Sequence, residues 1–157
     1  MKKIKSILSV ALFMMAGLVV SCSKDNSSTK PIVTDARDLA IGTYTGLSSL
    51  KDTTGVSISD TTVTFIVEKG SGKSLIITEY DGVKITTGDI LVSGKGFEGN
   101  IPVQTITIDG ISGSLKGRGN NNEQFGFMES TKFFFYNIEL TDGPLKGCTR
   151  DVFATKK

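Results

Sequence analysis

The chain has no histidine and no tryptophan. Without His there are no Ser–His or Cys–His catalytic pairs and no imidazole metal sites. Without Trp, the largest ring for stacking a sugar is missing. Cysteine is scarce, with Cys22 and Cys148 alone, and proline occurs three times. An excess of one charge is absent too: 18 basic residues face 16 acidic ones, a net charge of +2. That balance implies no nucleic-acid partner. Beyond residue 20 the sequence holds no long apolar run and little helical periodicity. Period-two alternation and turn residues take their place.

What is present begins with Lys2, Lys3 and Lys5, followed by Ile7–Val20, an apolar run broken only by Ser9 and Gly17. A basic start and a short apolar stretch predict a secretory signal helix too short to span a bilayer comfortably. Val19-Val20-Ser21-Cys22 follows and resembles the lipobox of bacterial lipoproteins. The resemblance implies cleavage before Cys22, a diacylglycerol thioether on its sulfur and membrane attachment through that lipid. More than one acyl chain is needed for lasting attachment, because a single chain holds only marginally. Ser23 stands where an Asp would signal inner-membrane retention in enteric bacteria. Ser23-Lys24-Asp25-Asn26 is similar to the polar stretch that directs Bacteroidetes lipoproteins to the cell surface. The expected location is therefore the outer membrane, facing the periplasm or the cell exterior.

Residues 1–21 are thus expected to be signal peptide and 22–38 a flexible tether rich in Ser, Thr, Asn and Lys, with Pro31. Residues 39–157 are expected to form one domain. Removing Lys2, Lys3 and Lys5 leaves 15 basic residues against 16 acidic, so the mature chain is close to neutral. With Cys22 lipidated, Cys148 has no disulfide partner and is expected to be a buried thiol.

Strands are expected at 41–50, 61–69, 74–80, 83–87, 89–94, 101–108, 111–117, 125–128, 132–140 and 147–155. A Gly-rich link runs through Gly96 and Gly99, and Asp109-Gly110 forms a tight hairpin turn. Val63, Phe65 and Val67 alternate with Thr62, Thr64 and Glu68, the pattern of a half-buried strand. The fold class is therefore all-β: an antiparallel meander of about eight to ten strands that closes as a barrel, with a two-sheet sandwich as the alternative. Gly113 and Gly117, on one face with Leu115, suit sharp strand curvature. Ile41-Gly42-Thr43-Tyr44-Thr45-Gly46 resembles the opening strand of lipocalin-like (calycin-like) domains of Bacteroidetes lipoproteins. The resemblance implies that Tyr44 closes one barrel end. The chain departs from lipocalins proper in having no Trp and no disulfide pair.

Catalytic groups are few. Glu79, Asp81 and Asp89 are close in sequence and could in principle form paired acids or a calcium site. The plainer reading makes Asp81 a turn residue and Glu79 part of a solvated face. Asp60, Asp89 and Asp109 lack calcium-loop spacing. Gly117-Arg118-Gly119-Asn120-Asn121-Asn122 lacks the helix and the Gly-Lys-Ser/Thr ending of a phosphate loop. No cofactor or metal is implied, and the chain reads as non-catalytic. Phe133-Phe134-Phe135-Tyr136 puts aromatics on both faces of one strand. The expected function is a binding module holding a small hydrophobic ligand within the barrel, lined by Tyr44, Phe65, Val67, Ile77, Phe133 and Phe135. The alternative is a solid barrel acting as a structural or protein-interaction module at the envelope. Exposed groups such as Phe97, or the Arg118–Gln124 loop, would then meet an envelope protein.

Overall fold

A computed structural model describes residues 35–108 and 111–157. The signal segment, Cys22, the tether up to residue 34 and the Asp109-Gly110 turn lie outside the described residues. Ala36–Leu39 forms a 3-10 turn. Eleven strands follow: β1 Gly42–Lys51, β2 Ser57–Lys69, β3 Leu75–Glu79, β4 Lys84–Thr86, β5 Leu91–Ser93, β6 Gly96–Gly99, β7 Gln104–Ile108, β8 Ile111–Gly117, β9 Phe125–Met128, β10 Phe133–Leu140 and β11 Thr149–Lys156. All pair antiparallel in a single sheet, which replaces the sandwich alternative.

The long path runs β4-β3-β2-β1-β11-β10-β9-β6-β5. Strand β10 changes partner midway. Phe133–Tyr136 pair with β9, and Ile138–Leu140 pair with β8, which carries β7 on its other side. The sheet curls into a barrel consistent with the lipocalin-like expectation. Its seam between β4 and β7 is bridged by one side chain: Thr86 N–H donates to Gln104 Oε1 and Gln104 Nε2 donates to Thr86 O, each at 2.8 Å. The Gln104 amide thus stands in for a backbone peptide at a strand edge.

Two expectations about the chain's organisation change. Residues 35–38, placed in the tether, pack on the barrel: Arg37 ion-pairs with Asp35 at 2.7 Å and donates to the Gly70 and Ser74 carbonyls. The Gly-rich link contains a strand, β6. Its glycines are needed because β9 and its side chains crowd both. A Cβ at Gly96 would sit 2.1 Å from Phe127 O, and one at Gly99 would sit 2.6 Å from the Phe125 ring. Phe97, between them, points inward and is buried rather than exposed.

Rings fill the interior toward the end where β1 begins. Tyr44 stacks on Phe65 at 5.3 Å, and Phe134 packs against both. Tyr136 meets Phe65 edge-on at 5.5 Å, and Phe125 lies 6.3 Å from Phe134. Tyr44 is fully buried among them, its hydroxyl donating to Ala40 O at 2.7 Å. Cys148 is a buried free thiol.

Candidate functional site

The other end of the barrel is built differently. Inward positions on β1 pass from Tyr44 through Gly46 to Ser48 and Leu50. Those on β2 pass from Phe65 and Val63 to Thr61 and Ser59. Rings thus give way to small and hydroxylated side chains, and the barrel opens. The opening has a volume of about 220 Å³. Its aliphatic wall comes from Val83, Ile106, Ile138, Leu140 and Leu145, and its polar wall from Ser48, Ser59, Thr61, Asp81 and Arg150.

A charged network lies at its base. Glu79 ends β3 pointing inward and is almost fully buried. Tyr136 OH donates to Glu79 Oε1 in a short hydrogen bond. Arg150 Nη1 donates to the same oxygen at 3.0 Å and lies 2.8 Å from Oε2, while Arg150 Nε donates to Ser48 Oγ at 2.7 Å. Oε2 has charge contact with the guanidinium but no hydrogen bond. Burial pushes the Glu79 carboxyl above its ordinary range, against the opposing pull of Arg150 and Tyr136. Burial also raises the Tyr136 hydroxyl, and the Glu79 charge adds to it. Burial works against the Arg150 cation, yet Glu79 and Tyr136 hold it above its ordinary value. A buried ion pair inside an otherwise aromatic barrel is costly to desolvate. Perturbed groups of this kind, placed beneath an opening, mark a candidate binding site.

The Glu79 finding replaces the solvated-face reading. Its partners are 57 and 71 positions away, invisible to local pattern. Asp81 is the turn residue expected, its Oδ1 accepting from Val83 N–H at 3.2 Å. Glu79 is hydrogen-bonded by Arg150 and Tyr136, with the Asp81 charge acting on it from nearby. Among the described residues, no group of three or more Cys, Asp or Glu side chains is placed to share a metal ion.

Of the expected interior residues, Tyr44, Phe65, Val67 and Ile77 are fully buried in the core. Phe133 and Phe135 are not among them. The register of β10 on β11 puts Phe134 opposite Ala154 and Tyr136 opposite Val152, all four facing in. Phe133 and Phe135 therefore lie on the outer wall, next to Phe153. The inward four pack on one another or on neighbouring rings and aliphatic groups, so side chains fill the barrel interior at their level. Arg118, in the Gly117–Asn122 loop, reaches Asp151 Oδ1 at 2.5 Å. Lys51 Nζ holds the other Asp151 oxygen at 2.8 Å.

No family model, no curated protein and no solved structure matches this chain.

Proposed function

We propose that this chain is a non-catalytic binding module, held at the cell envelope by lipid on Cys22, with its ligand site in the barrel mouth. One observation carries the reading. A barrel plugged by stacked rings at one end opens at the other over a buried Arg150–Glu79–Tyr136 network. A ligand there would rest an apolar body on Ile106, Ile138 and Leu140. It would aim a hydrogen-bonding group at Ser48, Thr61 and the outer edge of Arg150. The space of about 220 Å³ is smaller than a drug-sized pocket, typically ~300–1,000 Å³, and selects for small amphipathic molecules. Methyl and amide NMR during titration with short-chain amphiphiles tests this. Shifts confined to Ile106, Ile138, Leu140 and Arg150, and abolished by the mouth-filling Leu140→Trp variant, are the expected result. Absence of shifts at millimolar ligand, or shifts unchanged by Leu140→Trp, would overturn it.

The tight aromatic packing of the other half favours a second reading, a solid barrel serving as a structural or protein-interaction module. Crosslinking in cells from the Arg118–Gln124 loop separates the two: a single discrete protein adduct supports the second reading. Lipid attachment is tested by metabolic labelling with a clickable palmitate. Label that persists in Cys22→Ala sinks that part of the proposal.

A further inference from the structure

The outer wall of β9–β11 differs from the rest of the barrel exterior. On β1 and β2 the outward row is mostly hydroxylated: Thr45 pairs with Thr64 at 3.1 Å, and Ser49 and Asp60 sit further along. Across β1, β11 and β10 the register instead aligns Leu47, Phe153 and Phe135. Phe133 stacks on Phe153 at 6.2 Å and lies opposite Met128. Leu47 is 67% exposed, and Phe153 and Met128 are each 47% exposed. Beside Phe135 is an open hollow of about 380 Å³, lined in part by Gly96, Glu98, Met128 and Ser130. An apolar surface of this continuity marks a contact face.

Three features say what it meets. First, the strand pairing already satisfies this wall's backbone groups, so its face asks for no hydrogen bonds, and hydrocarbon offers none. Second, the charges around it cancel: Lys95 and Lys132 stand with Glu98 and Glu129. Neither an anionic surface nor a strongly charged protein is favoured over a neutral one. Third, the wall is close to where the chain from Cys22 arrives. Phe133 pairs with Thr155; the next residue, Lys156, bonds to Lys132 O through its N–H and to Leu39 O through its ammonium. Twelve residues, 23–34, separate Cys22 from the barrel, and a chain of that length spans at most about 40 Å, so a lipid on Cys22 keeps this end near the bilayer.

We propose that the β9–β11 wall seats on a zwitterionic lipid surface, with Phe133, Phe135, Phe153 and Met128 entering the interface. The inference rests on the lipid anchor at Cys22 and extends it: the anchor supplies attachment, and the wall sets which way the barrel mouth faces. Because the chain has no Trp, single Trp variants report without background. The processed, lipidated full chain carrying Phe153→Trp, or Val56→Trp at the far hairpin, is placed on phosphatidylcholine vesicles containing a brominated-tail analogue. A ring seated about 5–10 Å into the interface should lose about half its emission or more. The expected result is quenching and a blue shift for Phe153→Trp, neither for Val56→Trp, and loss of both effects when Phe133→Ser and Met128→Ser are added. Co-flotation with equal quenching at both positions overturns the inference and leaves the anchor standing. A blue shift without quenching means that a second copy or a protein covers the wall, which also overturns it. Failure to co-float removes the anchor itself, and the inference with it.

Discussion

Replacing Arg150 by Met removes the one guanidinium in contact with Glu79 among the described residues and keeps much of the side-chain volume. Glu79 then has two options. It can stay ionised inside the barrel, where loss of one partner of a buried pair costs about 3–5 kcal/mol. Or it can take up a proton. From an ordinary value of 4.5, holding a carboxyl protonated at pH 7 costs about 3.4 kcal/mol, at about 1.36 kcal/mol per unit. Both routes give a loss of roughly 3 kcal/mol or more at pH 7, a fall in Tm of about 10 °C for a domain of this size. The pH dependence follows from the sign of the shift. A carboxyl whose folded pKa lies above its unfolded one contributes stability fully present below about 4.5. That contribution is lost as pH rises through the folded pKa. Arg150→Met should therefore approach the parent's stability near pH 4.5 and diverge from it toward pH 7. Adding Glu79→Gln keeps an acceptor for Tyr136, removes the titration, and should recover about half the loss or more at pH 7 with a flat profile. Urea denaturation across pH 4–8, followed by far-UV circular dichroism, measures all three. A pH-independent loss in Arg150→Met, or no recovery in the double variant, would refute the claim that Glu79 is the buried charge in this network.

Asp151 should show the opposite slope. Burial raises its carboxyl, but Lys51 and Arg118 outweigh this and hold it below its ordinary value. Its stabilisation is present in full above about 3.8 and declines as pH falls through the folded pKa, so Asp151→Asn should weaken the domain at pH 6 by an amount that shrinks as pH is lowered below 3.8 in the same urea assay. Gly46→Ala places a Cβ 2.0 Å from Phe153 O and 2.4 Å from Ala154 Cα. Backbone cannot step aside there, and thermal melting should show a loss of about 3 kcal/mol. The nearest atom to a Cβ at Gly113 is Asp142 O at 3.5 Å, so Gly113→Ala should stay within about 0.5 kcal/mol of the parent. Gln104→Ala removes both bonds across the β4–β7 seam. A cost of about 1 kcal/mol is expected, with faster hydrogen exchange at Thr86 and little change on β1.

Strand β2 was legible because its two faces differ: Val63, Phe65 and Val67 are buried while hydroxyls and charge face out. The same rule fails for β10, where rings on both faces leave the parity undetermined. Only the register on β11 settles it, sending Phe134 and Tyr136 in and Phe133 and Phe135 out. Strand β6 was hidden because glycines there serve close approach to β9 rather than a turn. Tyr44 was legible from its local context. Glu79 was not, since its environment is assembled by strands distant in sequence. A mouth lined by Ile106, Ile138, Leu140 and Leu145 has no local motif at all; it exists only once β7, β8 and β10 meet.

The divided partnership of β10 has a consequence for how such a molecule can diversify. Its first half braces the ring stack through β9, and its second half carries the rim through β8. On that edge floor and rim share a strand but not a neighbour, while β11 runs beside both halves on the other edge. Substitutions around the rim can therefore reshape the mouth without unpacking the rings beneath, so its form need not be weighed against the integrity of the whole.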